Sequence, residues 1–82
     1  MNVKHRARRQ AIDELLEYLL VKLDAEDGKQ AYRRKLLNAY SYESGISIRV
    51  LREYVDVLSA AGKIKQDRVS SHWPLLRRVE AQ

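Results

Sequence analysis

Two arginines three residues apart carry the most distinctive chemistry in the sequence. Arg49 and Arg52 follow Ser47, a residue type that often caps the start of a helix. At this spacing on a helix the two guanidinium groups lie on one face, where each can bind a phosphate or a guanine edge through paired hydrogen bonds. The alternative is pairing within the helix, because Glu53 and Asp56 each follow an arginine by four residues.

Three other groups of basic residues are candidates for binding an anion. They are Arg33, Arg34 and Lys35; Lys65, Arg68 and His72; and Lys4, Arg6, Arg8 and Arg9. The alternative for each group is a solvated surface. Positive charge at a helix start opposes the helix dipole, so residues 1–9 are predicted either to form an unwound basic arm or to have an anionic partner.

Most catalytic and metal-binding chemistry is excluded by what the sequence lacks. There is no cysteine, and the two histidines, His5 and His72, are too few for a zinc site. Ser71 directly precedes His72, a spacing at which a serine rarely faces its own base. Residues 24–28 superficially resemble a calcium loop, but the glycine comes one position early and the later ligands are missing. We therefore expect neither enzyme activity nor a cofactor.

The charge of the chain indicates a polyanionic partner. The 82 residues carry a net charge of +5 and the isoelectric point is near 9.7, which favours nucleic acid or an acidic surface. No apolar run approaches the roughly 20 residues of a membrane span, and no signal peptide is evident. We therefore expect no membrane partner and a cytoplasmic, nucleoid-associated protein.

The length predicts a single domain, 1–82, with a thin core that relies on close helix packing or on a second subunit. Ala11, Tyr18 and Val21 lie off the main apolar face of the first helix and are candidates for seating a second copy in a homodimer. On the outer face of the same helix, the acidic residues suit a basic protein partner. These residues are Asp13, Glu14 and Glu17.

Four segments are predicted to position these side chains. Apolar residues at helical spacing predict helices over 5–24 and 29–42, with Asp27 and Gln30 as a capping pair for the second. A third helix is predicted from Ser47 to about residue 61, and a two-stranded hairpin over 63–79. Pro74 then belongs at an edge or a strand start, and Trp73 plugs the core under the hairpin.

The predicted inner faces of the second and third helices are broad. In the second helix they comprise Tyr32, Leu36, Ala39 and Tyr40. In the third they comprise two edges, Ile48, Leu51, Val55 and Leu58 on one side and Val50, Tyr54, Val57 and Ala61 on the other.

Three helices, a glycine turn and a hairpin together resemble the winged helix-turn-helix family. The stretch from Tyr40 to Tyr54 resembles the core motif of that family, with small Ser41 four residues before Gly45. Residues 51–64 resemble the end of its recognition helix, where a leucine, a glycine and an isoleucine lead into the wing. The resemblance implies a mainly helical fold with a small β-hairpin, comprising a three-helix core over 10–61 and a wing over 63–79.

Sequence-specific binding of double-stranded DNA is the function that this resemblance implies, as a transcription regulator of the small prokaryotic, archaeal or viral type. The helix over 46–61 would enter the major groove through Ser47, Arg49 and Arg52. Backbone contacts would come from the second helix, the wing and the arm. The residues implied are Arg33, Arg34 and Lys35; Lys65 and Arg68; and Arg8 and Arg9.

The sequence is also compatible with two other functions. The end of the chain is faintly similar to a winged-helix ribosomal protein family of the eukaryotic small subunit, which implies structural RNA binding. The acidic face of the first helix instead suits an adaptor or accessory subunit of a replication or transcription machine.

Overall fold

The computed structural model of the protein describes residues 3–67 and 74–79. In chain order the elements are α1 (Val3–Ala25), β1 (Gln30–Tyr32), α2 (Arg33–Ser44), α3 (Ile48–Ala60), β2 (Ile64–Asp67) and β3 (Leu75–Arg78), with a single 3₁₀ turn over Asp27–Lys29. The prediction of a mainly helical chain is confirmed, and the sheet has three antiparallel strands where a two-stranded hairpin was predicted. No helix in the described part of the chain combines the length and hydropathy of a membrane span.

The first helix is longer than its apolar stripe. Ile12, Leu15, Leu19 and Leu23 are buried, and their spacing sets the face that α1 turns to the core. The helix nevertheless begins at Val3, so residues 3–9 are helical and the unwound basic arm predicted over 1–9 is wrong for this part of the chain. Because residues 6–10 are all exposed, the start of α1 extends beyond the core.

A short strand replaces the predicted start of the second helix. Gly28 and Lys29 adopt positive φ angles of 72° and 54°, which stop a right-handed helix and reverse the chain. Residues 30–32 then pair with β3, with buried Ala31 opposite Leu76. The predicted helix over 29–42 and its Asp27–Gln30 capping pair are therefore wrong in register.

The shift in register also changes the inner face of α2. Tyr32 precedes the helix and is 53% exposed, and Ala39 is exposed, so neither belongs to the inner stripe. Leu37 is buried beside Leu36 in their place. At the start of the helix the Arg33 backbone N–H donates to the Pro74 carbonyl at 3.0 Å, which ties α2 to the chain entering β3.

The turn between α2 and α3 forms where the sequence predicted it. Gly45 has a φ of 77° and its N–H donates to the Ser41 carbonyl at 2.9 Å. Ser41 Oγ in turn donates to the Ile46 carbonyl at 2.6 Å, and Ser44 Oγ accepts from the Ile46 N–H at 3.2 Å. Ser47 caps α3, because its Oγ accepts from the Val50 N–H at 3.3 Å.

The third helix buries one edge of its apolar face. Leu51, Val55 and Leu58 are buried, as predicted, but Ile48 on the same edge is exposed, so that part of the prediction is wrong. Along the other edge, Val57 is 41% exposed and Ala61 is exposed, so the prediction that α3 packs along both edges is wrong towards its end. An apolar strip of α3 therefore stays at the surface.

The sheet has the strand order β1-β3-β2, and all its pairs are antiparallel. Leu76 of the central strand and Ile64 of β2 are buried against the helices. The predicted pairing of the two halves of the hairpin is confirmed for β2 and β3, and Pro74 stands at the strand start. Arg68, His72 and Trp73 lie outside the described residues.

Candidate nucleic-acid interface

Arg49 and Arg52 lie on the first turns of α3, and both side chains are exposed. The alternative interpretation paired them with Glu53 and Asp56. Within residues 3–67 and 74–79 neither arginine forms an ion pair or hydrogen bond. Asp56 accepts instead from Gln66 Nε2, at 3.0 Å. Both guanidinium groups are therefore open to an external anion.

Helical geometry sets the direction in which each arginine projects. Arg49 is about 160° around the helix from buried Leu51, so it points away from the core. Arg52 lies to one side of that direction and borders α2, where it lines a groove with Ile48. The two guanidinium groups thus cover neighbouring parts of the surface at the start of α3.

The groove beside Arg52 has a volume of about 390 Å³ and lies between the first turns of α2 and α3. Arg33, Arg34 and Arg52 line it, together with the Asn38 carboxamide. Apolar side chains and Pro74 complete the lining, and no carboxylate from the described residues takes part. A groove with three guanidinium groups and no acid suits an anion such as a phosphate.

Arg33 is held by a network that joins three elements. Its Nη1 donates to Gln66 Oε1 at 2.9 Å, and Gln66 Nε2 donates to Asp56 Oδ1 at 3.0 Å. The network therefore links α2, β2 and α3 behind the groove. Sequence reasoning missed Gln66, although its position two residues after buried Ile64 puts both side chains on the same face of β2.

Lys35 and Arg34 have different surroundings. Lys35 Nζ lies 3.2 Å from Glu26 Oε1, so its charge is partly neutralised by the loop after α1. Arg34 is exposed and lines both the groove beside Arg52 and a second one, of about 430 Å³, with Tyr32 and Lys35. Of the predicted α2 cluster, Arg33 and Arg34 therefore share the groove with Arg52, and Lys35 does not line it.

The basic residues of the sheet are compensated by acids. Asp67 accepts from Arg77 Nη1 at 2.9 Å and lies 4.0 Å from Lys65 Nζ, while Arg78 bonds to Asp24 at the end of α1. Lys65 and Arg77 are cross-strand partners, so one carboxylate serves two neighbouring cations. Arg77 was not singled out from the sequence. Arg68, predicted to act with Lys65, lies beyond the described ranges.

Arg8 and Arg9 are brought to the other end of α3. The Arg8 guanidinium carbon lies 5.9 Å from the centre of the Tyr54 ring. Both arginines line a groove with Val57 and Ala61, near the end of α3. The structure therefore does not bring them together with Arg49 and Arg52.

The shifted pKa values of Asp24, Tyr18 and Tyr40 belong to packing contacts away from Arg49 and Arg52. A hydrogen bond from Arg78 lowers the pKa of Asp24 below its ordinary value of 3.8. Burial raises the pKa of Tyr18 and of Tyr40, whose ring centres lie 4.7 Å apart between α1 and α2. These groups report on how α1 is attached to α2 and β3.

The chain matches no known family model, and neither a curated protein nor a solved structure shows significant similarity to it. The candidate interface is defined by its geometry alone. Its centre is the start of α3 and the adjoining groove, which carry Arg34, Arg49 and Arg52 at the surface.

Proposed function

We propose that the chain is a winged helix-turn-helix protein that binds double-stranded DNA sequence-specifically and regulates transcription. The order of elements supports this proposal. A tight glycine turn joins α2 to α3, and β2 and β3 follow as the two sides of a wing, while β1 closes the sheet against β3. In such an arrangement α2 crosses the DNA backbone and α3 enters the major groove.

The observation that carries the proposal is the exposure of Arg49 and Arg52 and their lack of a partner among the described residues. Both are exposed on the first turns of α3, and neither has a partner within the described ranges. An α-helix with its side chains is about 10–12 Å wide, which fits a major groove about 12 Å wide. The two guanidinium groups would then meet base edges or the flanking phosphates.

The charges along α3 favour its N-terminal end for the proposed approach to DNA. The arginines occupy its first turns, whereas exposed Glu53 and Asp56 follow one turn later. Carboxylates are repelled by the phosphate backbone, so α3 would enter the groove by its N-terminal half. The groove lined by Arg34 and Asn38 then lies beside the entering helix and suits a backbone phosphate.

The other basic residues that were predicted to contact DNA have different roles in this proposal. Arg33 donates a hydrogen bond to Gln66, and Lys35 forms an ion pair with Glu26. We therefore assign both residues to positioning α2 against β2 and against the loop after α1. Lys65 and Arg68 stay predicted wing contacts to the backbone. Arg8 and Arg9 lie near the end of α3, away from the half that would enter DNA.

The proposal is tested by selecting duplexes from a random library with the full chain and measuring affinity by fluorescence anisotropy across salt. Engagement of about six phosphates predicts a slope near −5 for log affinity against log salt. We expect an enriched motif that binds at least about 100-fold more tightly than a scrambled duplex. Recovery of no motif, or tighter binding to structured RNA than to any duplex, would contradict the proposal.

A further inference from the structure

The groove lined by Arg8 and Arg9 lies between the first half of α1 and the last turn of α3. Its volume is about 420 Å³. The floor is apolar and includes Ile12, Leu16 and Val57, while Arg8, Arg9 and Lys63 stand at the rim with one acid, Asp13. The groove is separate from the arginines at the start of α3.

Apolar surface that the rest of the fold leaves open borders this groove. Val57 is 41% exposed and adjoins exposed Ala61. On the opposite wall, residues 6–10 of α1 are exposed and precede buried Ile12. Both walls therefore extend beyond the core of a single chain and present a surface on which another helix can pack.

The rim carries charges of both signs, so the rim of one copy is complementary to the same rim on a second copy. Arg9 and Asp13 are one helical turn apart on the same side of α1, and within the described part of the chain they do not pair with each other. A two-fold axis that crosses α1 between them sets each Arg9 opposite Asp13 of the partner subunit. The same patch on both subunits then meets itself, as an isologous interface requires.

We propose that this groove is the interface of a homodimer, in which the α1 helices of two copies pack antiparallel. The two-fold pairing of Arg9 with Asp13 of the partner subunit compensates positive charge at a helix start, where it opposes the helix dipole. Packing against Val57 and Leu16 enlarges the thin core of an 82-residue chain. The inference goes beyond DNA binding and does not depend on it.

Sedimentation velocity of the full chain, from about 1 to 200 µM, tests the proposal. We expect a reversible dimer whose dissociation constant rises at least about tenfold in Arg9→Glu and in Asp13→Arg, because each change sets like charges opposite each other. An equimolar mixture of the two variants restores the dimer, since Glu at 9 then meets Arg at 13 and Asp13 meets Arg9. The mixture excludes a purely intrahelical effect, which mixing does not repair.

Two pairs of variants separate this groove from other surfaces. Glu14→Arg makes the same charge change as Asp13→Arg one residue along α1, on a face that does not line the groove, and leaves the dimer intact. Val57→Asp dissociates the dimer, whereas Val21→Asp, at a residue 67% exposed elsewhere on α1, does not. Circular dichroism verifies that each variant is folded.

Three results would overturn the proposal. A wild-type chain that stays monomeric over the whole concentration range excludes the dimer. Dissociation by Val21→Asp but not by Val57→Asp moves the interface to the opposite face of α1. A dimer that withstands both Arg9→Glu and Asp13→Arg does not use the Arg9–Asp13 contact.

Discussion

Gln66 connects both α2 and α3 to the sheet through one side chain. Its carboxamide accepts from Arg33 and donates to Asp56, so one side chain connects residues that are 33 and 10 positions away. No local pattern in the sequence predicts such a bridge, because its two partners are brought together only by the fold.

Replacing Gln66 with Ala is expected to lower the free energy of unfolding by about 1–1.5 kcal/mol, since two hydrogen bonds to charged groups are lost at a half-buried site. Urea denaturation measures the change. The matched control is Gln10→Ala, which removes one exposed bond to Glu14 on α1 and should cost less than about 0.5 kcal/mol. Equal effects of the two substitutions would show that the bridge does not stabilise the fold.

Asp24 and Arg78 join the end of α1 to the central strand. Because the Arg78 hydrogen bond lowers the pKa of Asp24 in the folded state, this pair adds stability above the ordinary Asp pKa of 3.8. That stability is lost as the pH falls through the lowered folded-state pKa.

Arg78→Gln is therefore expected to be less stable than the wild type at neutral pH, with the difference disappearing as the pH drops below 3.8. Urea unfolding at a series of pH values from about 2 to 7 follows the difference. A gap that stays constant across the series would mean that ionised Asp24 is not the relevant partner of Arg78.

At the scale of elements, the turn from α2 to α3 could be predicted because its signals are local. Gly45, Ser47 and the apolar spacing of α3 all lie within one short stretch, and the structure follows each of them. β1 could not be predicted, since a three-residue strand has too short an alternation to be recognised. Its partner Leu76 lies far along the chain, and pairing with it overrides the local preference for helix.

The same contrast holds for the candidate interface. The sequence indicated Arg49 and Arg52 from the type and spacing of the residues. It did not reveal that Arg33 and Lys35 have partners in Gln66 and Glu26, because those contacts depend on β2 and on the loop after α1. Nor did it predict that Arg8 and Arg9 lie near the end of α3 and not near its start.

The turn itself can be tested at Gly45. Gly45→Ala is expected to cost about 1–2 kcal/mol of unfolding free energy from backbone strain alone, because φ is 77° and a Cβ there meets nothing within 4 Å. Gly45→Asn should cost less than half as much, since asparagine tolerates this conformation. Chemical denaturation compares them, and equal costs would mean that strain at this φ is not the cause.

At the scale of the whole molecule, α3 contributes to two separate regions of the surface. Its first turns carry Arg49 and Arg52 next to the groove of Arg34, where we propose DNA binds. Its last turn adjoins Arg9 and Asp13, where we propose a second copy packs. The two surfaces do not share a residue, so a dimer would leave both α3 starts open.

A substitution that disrupts the dimer surface should therefore leave the affinity of the DNA-binding surface unchanged. Val57→Asp is expected to dissociate the dimer while a single chain retains its contacts with one half of a selected duplex, because Val57 lies beyond the entering half of α3. Anisotropy with a duplex that contains one half-site measures this, and the predicted change in affinity is less than about threefold. A loss as large as that caused by removing Arg49 and Arg52 would mean that the surfaces are not separate.

The most direct test of DNA binding through α3 compares two double variants that each remove two positive charges. On a selected duplex at constant salt, Arg49→Ala with Arg52→Ala should weaken binding at least about 100-fold, since each lost arginine contact with a base costs about 1–3 kcal/mol. Lys22→Ala with Lys29→Asn, on the α1 side of the molecule, should weaken it less than about threefold. If both pairs lower the affinity equally, binding follows net charge alone and the proposed role of α3 is wrong.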